Sequence, residues 1–336
     1  MNSSARQIAI SWWALVFVTT LAACGGATGP DGAGTGSPVQ AQGAGQPPCF
    51  SDDCAMPQTI ATIPDAENMV FGPNGKLYVT GGTDVFEINA SGDSYTATGL
   101  SDGGCNFTGI TFIENQLYAA CGDGSFWTAN LSDKPLLVKP FYQIDGMGLA
   151  NGVTSSPDGQ SLLVADGPLP ANGPAPGRIF EIDLAAPGQA SGDRVWLDMT
   201  GRFPNGLQRR GNTLFLTESV PPSLGQISRV NFNPDGSAAS DPVQVVALSS
   251  IPDDFTLLPD GFAVTLFFDG SVVKYDFLGN PQEMTSRGRF ETGTSQVRVG
   301  QGEDFRPNDV LVTVKGLIGD NSGPVGNKLV LYRRVQ

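Results

Sequence analysis

The chain has 336 residues, with 33 Asp and Glu against 19 Lys and Arg, a formal net charge of −14 and no histidine. An acidic balance of this size repels phosphate backbones and argues against nucleic acid as a partner. The length suits one all-β domain, and 44 glycines and 25 prolines suit a fold built largely from turns.

The first element, residues 8–21, is apolar, contains Trp12 and Trp13, and is short for a membrane span. It runs into Leu21-Ala22-Ala23-Cys24-Gly25, which resembles the lipobox of bacterial lipoproteins. That resemblance implies a signal peptide over 1–23 and a lipidated Cys24 as the first mature residue. Glycine in place of aspartate at position 25 resembles an outer-membrane sorting pattern. The expected location is the bacterial cell envelope, held by a lipid anchor, with an ordinary signal peptide as the alternative. Residues 24–56 are expected to be a flexible tether, because 25–48 are rich in Gly, Ala, Pro and Gln. Roughly 24 such residues reach on the order of 25–30 Å.

Four further cysteines remain: Cys49, Cys54, Cys105 and Cys121. An even number in an exported chain predicts two disulfides, and pairing near neighbours gives Cys49–Cys54 and Cys105–Cys121. Reduced thiols are the alternative. A zinc site on these thiols is disfavoured, since the chain has no histidine and no Cys-x-x-Cys pair.

From residue 57 a unit recurs: a short apolar strand, a tight turn and a second alternating strand. Copies span 68–79, 109–119, 152–164, 206–216 and 255–265, and a weaker sixth ends in Val310-Leu311-Val312. Their turns, among them Pro73-Asn74-Gly75, Pro157-Asp158-Gly159, Gly211-Asn212 and Pro259-Asp260-Gly261, supply hairpin dihedrals. Third strands are predicted at 84–88, 126–128, 178–182, 226–230, 272–275 and 328–332. Fourth strands are predicted at 95–100, 136–142, 194–199, 243–248 and 283–287. The sixth set lacks a fourth strand, and residues 58–63 are expected to pair with it and close a ring. Four strands in a period of roughly 40–50 residues predict an all-β, six-bladed β-propeller over 57–336.

In such a ring the first strand of each blade lines the central channel. Glu67, Asn151, Asn205 and Asp253 stand just ahead of that strand in four blades, so their side chains should converge on the axis. Carboxylate and amide oxygens without thiolate or imidazole suit a hard cation. Calcium is the first choice, with manganese or zinc as alternatives. Singly, each residue has an ordinary explanation: Asn-Gly is a common turn dipeptide, Asp253 could cap its loop and Glu67 could be a surface acid. Four oxygen donors in register favour a shared ion. Asn106, read as the equivalent place in the second blade, and Asp254, beside Asp253, are candidate substrate contacts. The long connections 166–177, 219–225 and 315–327 fall on the same face. They are expected to wall a pocket, with inert surface insertion as the alternative.

At these residues the chain resembles the gluconolactonase, senescence-marker-protein and luciferin-regenerating-enzyme family, with diisopropyl-fluorophosphatase and the paraoxonases as relatives. The likeness spans about 57–335 and is most specific at Glu67-Asn68-Met69-Val70-Phe71, Phe203-Pro204-Asn205-Gly206-Leu207 and Pro252-Asp253-Asp254-Phe255. It implies metal ligands at Glu67, Asn151, Asn205 and Asp253, with Asp253 also acting as base or nucleophile on a lactone or similar small ester. Because the chain has no histidine, the histidine-based proton transfer of paraoxonases cannot operate, which weakens an organophosphatase reading. The expected partners are a small-molecule substrate and, through the anchor, a membrane; a monomer is expected. The competing expectation is a non-catalytic envelope propeller with a structural ion, binding a polymer or protein. A strictosidine-synthase-like condensing enzyme is disfavoured because no glutamate base can be placed for it.

Overall fold

The computed structural model describes residues 46–167, 177–220, 225–316 and 325–334, so residues 1–45, with Cys24, lie outside the described residues. After a leading strand β1 (Gln58–Thr62), the alternating runs pair into antiparallel blades. Blade 1 is β2 (Ala66–Phe71), β3 (Leu77–Gly81), β4 (Asp84–Ser91) and β5 (Ser94–Gly99). Blade 2 is β6 (Phe107–Ile113), β7 (Gln116–Cys121), β8 (Ser125–Asn130) and β9 (Lys139–Gln143). Blade 3 is β10 (Ala150–Ser155), β11 (Ser161–Asp166), β12 (Arg178–Ala186) and β13 (Gln189–Asp198). Blade 4 is β14 (Phe203–Arg210), β15 (Thr213–Ser219), β16 (Gly225–Asn231) and β17 (Val243–Leu248). Blade 5 is β18 (Pro252–Leu258), β19 (Gly261–Leu266), β20 (Ser271–Asp276) and β21 (Pro281–Met284). Blade 6 is β22 (Thr294–Val299), β23 (Val310–Val314) and β24 (Lys328–Tyr332), completed by β1. The chain is a six-bladed β-propeller closed by its N-terminal strand, with Gln58 opposite Leu331 and Thr62 opposite Lys328.

Burial explains the strand patterns. Each second strand is sandwiched between blades, so β3, β7, β11 and β23 are buried at every residue and read as nearly continuous apolar runs. Fourth strands lie outermost, and β5 and β21 are largely open to solvent. Successive side chains of a second strand face opposite interfaces. Leu77 and Val79 join Leu311 and Leu331 between blades 6 and 1, while Tyr78 joins Phe107 and Leu117 between blades 1 and 2. One apolar cluster fills each of the six junctions between neighbouring blades. The core is therefore a ring of interfaces, with a polar channel at its centre.

Both expected disulfides are present, Cys49–Cys54 and Cys105–Cys121. Of the tether expected over 24–56, residues 24–45 lie outside the described residues, and its end is packed on the propeller. Phe50, Cys54 and Ala55 are buried against Phe290, Val330 and Tyr332, and Phe50 is only 1% exposed. Backbone groups of this arm are also held: Phe50 N donates to Glu283 at 2.8 Å, and Tyr332 donates its hydroxyl to Ser51 O. Apolar anchors set among small residues fasten the arm to blades 5 and 6.

Candidate metal centre

The ladder between first and second strands slips at one height in every blade. Ala66 pairs with Gly81 and Met69 with Val79, so Glu67 and Asn68 together face Thr80. The same slip brackets Thr108-Gly109, Asn151-Gly152, Asn205-Gly206 and Asp253-Asp254, and a shorter one follows Thr294 in blade 6. These are β-bulges, which re-aim side chains that a regular ladder would send elsewhere. The predicted ligands are thus strand residues in bulges, and the Asn-Gly pairs are not turns. Gly152 and Gly206 are absent from the positive-φ residues and serve close approach instead. A Cβ on Gly152 would lie 2.4 Å from Asn205 O and 2.7 Å from Leu207 N.

Threonine hydroxyls pin the bulges from one blade to the next. Thr80 accepts from Asn68 N at 3.0 Å and donates to Thr108 O in blade 2. Thr217 accepts from Gly206 N at 2.8 Å and donates to Asp253 O in blade 5. Thr265 donates to Ser295 O at 2.7 Å, and Thr313 donates to Glu67 O across the ring closure. The backbone carbonyl of each such residue is thereby engaged by the preceding blade. Thr217→Val keeps the shape but strands one buried N–H and weakens the hold on one carbonyl. It is expected to lower stability by about 1–3 kcal/mol in urea denaturation.

Glu67, Thr108, Asn151, Asn205 and Asp253 share the floor of one cavity of about 230 Å³. The four predicted ligands are all less than a tenth exposed. Asn205 Nδ2 donates to Asp253 Oδ1 at 2.8 Å, and Ser295 Oγ donates to Asp253 Oδ2 at 2.8 Å. The carbonyl oxygens Asn151 Oδ1 and Asn205 Oδ1 are buried without any hydrogen-bond donor. Burial, reinforced by the Glu67 carboxylate, holds Asp253 well above the usual carboxylate range. Burial also raises Glu67, against the pull of Lys315.

Two expected substrate contacts need revision in place or role. The bulge puts Thr108, not Asn106, at the blade 2 equivalent of the ligand position. Asn106 still lines the cavity; its carbonyl accepts from Gly122 N at 2.9 Å beside the Cys105–Cys121 disulfide. Asp254 does not line the cavity, because the second bulge residue points elsewhere. Its carboxylate accepts from Phe255 N at 2.6 Å and Gln296 Nε2 at 2.8 Å, and burial pushes it up to about 6. Nearby, the Arg298 guanidinium reaches Met69 O at 3.1 Å and Gln208 Oε1 at 3.1 Å, crossing the channel from blade 6 to blades 1 and 4.

Lys315, just beyond β23, was not foreseen. Its ammonium lies 2.6 Å from Glu67 Oε2 and 3.0 Å from Asp65 Oδ2. Burial works against its charge, but the two carboxylates prevail and raise its pKa. Of the three long connections, 168–176, 221–224 and 317–324 lie outside the described residues, while the flanking Ser219 and Lys315 line the cavity.

No protein-family model matches the chain, and no curated protein matches its sequence. Solved structures share its fold. Regucalcin from Agrobacterium tumefaciens str. C58, described as a calcium-binding protein, aligns at TM-score 0.61 and 15% identity, covering 86% of this chain and 96% of that one. Hydrazine synthase of Kuenenia stuttgartiensis aligns at 0.53 and 13% identity, over 80% and 84% of the two chains. A chain of a nidogen/laminin complex aligns at 0.53 and 12% identity, over 68% and 82%. At these identities the likeness is one of architecture.

Proposed function

We propose that this propeller holds a divalent cation on its axis and, with Asp253, hydrolyses a lactone or similar small ester. The observation that carries the reading is the pair of donorless oxygens, Asn151 Oδ1 and Asn205 Oδ1, buried beside two carboxylates on one cavity floor. An unsatisfied buried acceptor costs about 1–3 kcal/mol, and a cation shared with Glu67 and Asp253 would offset that cost. Charge agrees: Asp65, Glu67, Asp253 and Asp254, as carboxylates, outnumber Lys315 and Arg298 by the two charges of a divalent ion. An all-oxygen donor set favours calcium, and the regucalcin propeller adds support by its printed description.

Glu67, Asn151, Asn205 and Asp253 would hold the cation, which when bound would polarise the ester carbonyl. Asn205 and Ser295 each donate to one Asp253 oxygen and so fix the plane of that carboxylate. Asp253 then takes a proton from the attacking water while the water oxygen bonds to the carbonyl carbon. As the ring C–O bond breaks, the same proton passes to the leaving alkoxide, so one water is consumed and one hydroxy acid forms. Direct attack by the Asp253 carboxylate is the covalent variant of this scheme.

The test is turnover of a lactone panel by purified mature protein with calcium, manganese or zinc, with calorimetry of cation binding alongside. Metal-stimulated turnover that a chelator abolishes is expected. Binding heat without turnover would favour the non-catalytic propeller with a structural ion. Absence of both would leave Lys315 as the site's own cation and overturn the cation reading.

Protons compete with the cation for the same carboxylates. Glu67 and Asp253 are both raised, so lowering the pH fills the cation-free site with protons that a cation must displace. Calorimetry in buffers of different ionisation enthalpy should show proton release growing, and affinity falling, as the pH is lowered. The expected lipid at Cys24 would hold this chemistry at the envelope; Cys24→Ser is expected to move the protein from membrane to soluble fractions.

A further inference from the structure

We infer, resting on the hydrolase reading, that the non-reacting part of the substrate is apolar, an alkyl chain or an aromatic ring, and not a polyhydroxylated sugar ring. The cavity walls among the described residues are Leu149, Ile251, Pro252, Phe267 and Phe268. Leu149, Ile251 and Pro252 lead into the inner strands of blades 3 and 5, on the mouth side of the ligand residues. Phe267 is buried, whereas the neighbouring Phe268 is 52% exposed and holds an aromatic face in water at the cavity rim. An apolar ligand would gain by covering that face.

The polar side chains are already engaged inside the protein. Thr108 Oγ1 lies 2.9 Å from Ala150 O and 3.2 Å from Ala120 O. Lys315 is paired with Glu67 and Asp65, and the Asn205 amide N–H with Asp253. Outside the cation ligands, Asn106 and Ser219 remain among the described residues to meet a ligand. A sugar lactone would bring several hydroxyls into this cavity and leave most without partners among the described residues, which binding does not tolerate. A lactone bearing a hydrocarbon substituent presents its ring ester to the floor and only carbon to the walls.

Initial rates with δ-valerolactone, δ-decalactone and glucono-δ-lactone test this. We expect kcat/KM to rise at least about tenfold from δ-valerolactone to δ-decalactone, with glucono-δ-lactone the poorest substrate. Phe268→Ser is exposed enough to leave folding intact and should flatten the chain-length gradient through KM. Equal or better turnover of glucono-δ-lactone would overturn the inference while leaving the hydrolase reading standing. A binding arm keeps the two separable: calorimetry of the same lactones with calcium-loaded Asp253→Asn. If the wild type hydrolyses nothing, the hydrolase reading falls. Tighter binding of δ-decalactone in that arm would still support an apolar ligand, and no preference would reject it.

Discussion

Asp253→Asn is expected to lower lactone turnover on the order of a thousandfold while leaving the cation-free protein as stable as the wild type, or more so. The two halves have one cause. Asparagine preserves the shape, and its amide can accept from Asn205 Nδ2 while donating to Ser295, whose hydroxyl works in either direction. What disappears is a buried carboxylate that its surroundings oppose, chiefly through burial and then through Glu67. Losing it relieves the empty site and removes the proton acceptor together with one charged ligand. Cation affinity should therefore fall by roughly tenfold or more, since ligand charge sets affinity for hard cations. The measurements are melting temperature in chelator, calorimetry with calcium, and initial rates. A variant that unfolds more readily in chelator, or that keeps its turnover, would show that Asp253 serves the fold and not the chemistry.

Gly152→Ala is expected to cost about 3 kcal/mol, at the upper end for forcing extra atoms into a packed site, and to lower cation affinity with it. The added methyl would meet Asn205 O at 2.4 Å, Leu207 N at 2.7 Å and the Gly206 Cα at 2.9 Å, all backbone atoms of the next inner strand. No rotamer can relieve such contacts; blades 3 and 4 must part, and the strand that moves carries Asn205. Gly206 faces the same constraint one junction on, where a Cβ would stand 2.2 Å from Asp254 Oδ1. Gly192 in β13 is the control, because nothing lies within 4 Å of its Cβ direction and alanine there should be neutral or mildly stabilising. Equal urea midpoints for Gly152→Ala and Gly192→Ala would refute close approach of the inner strands.

The ring itself was legible because strand alternation and turn dipeptides are local signals. So was the closing strand, since the sixth set lacks a fourth strand and 58–63 stands just ahead of the first copy. The four axial residues could be found because each carries an oxygen at one place in a repeat. Asn106, which does line the cavity, reads as the blade 2 equivalent for that same reason. In blade 2 the bulge position holds Thr108, so matching by amide type selected a residue two places early. Lys315 left no such trace: it follows the second strand of the last blade and meets Glu67 only because the ring closes. Phe50 was hidden in a stretch whose composition reads as tether, and its burial depends on a groove formed by Phe290 and Tyr332. Contacts made by closure, or by a single side chain in an otherwise featureless segment, have no periodicity to reveal them.

The pairing of β1 with β24 also dictates an order of events during synthesis. A chain emerging N-terminus first presents Ile60 and Ile63 long before Leu329 and Leu331, which cover them. Until then blade 1 keeps one apolar flank bare and β1 remains an unpaired edge, the kind of surface that recruits foreign strands. Sealing is therefore a late, long-range step that makes folding slow relative to the stability reached. Loss of β24 would leave the nascent ring open and prone to aggregate, even with every residue of the axial cluster intact.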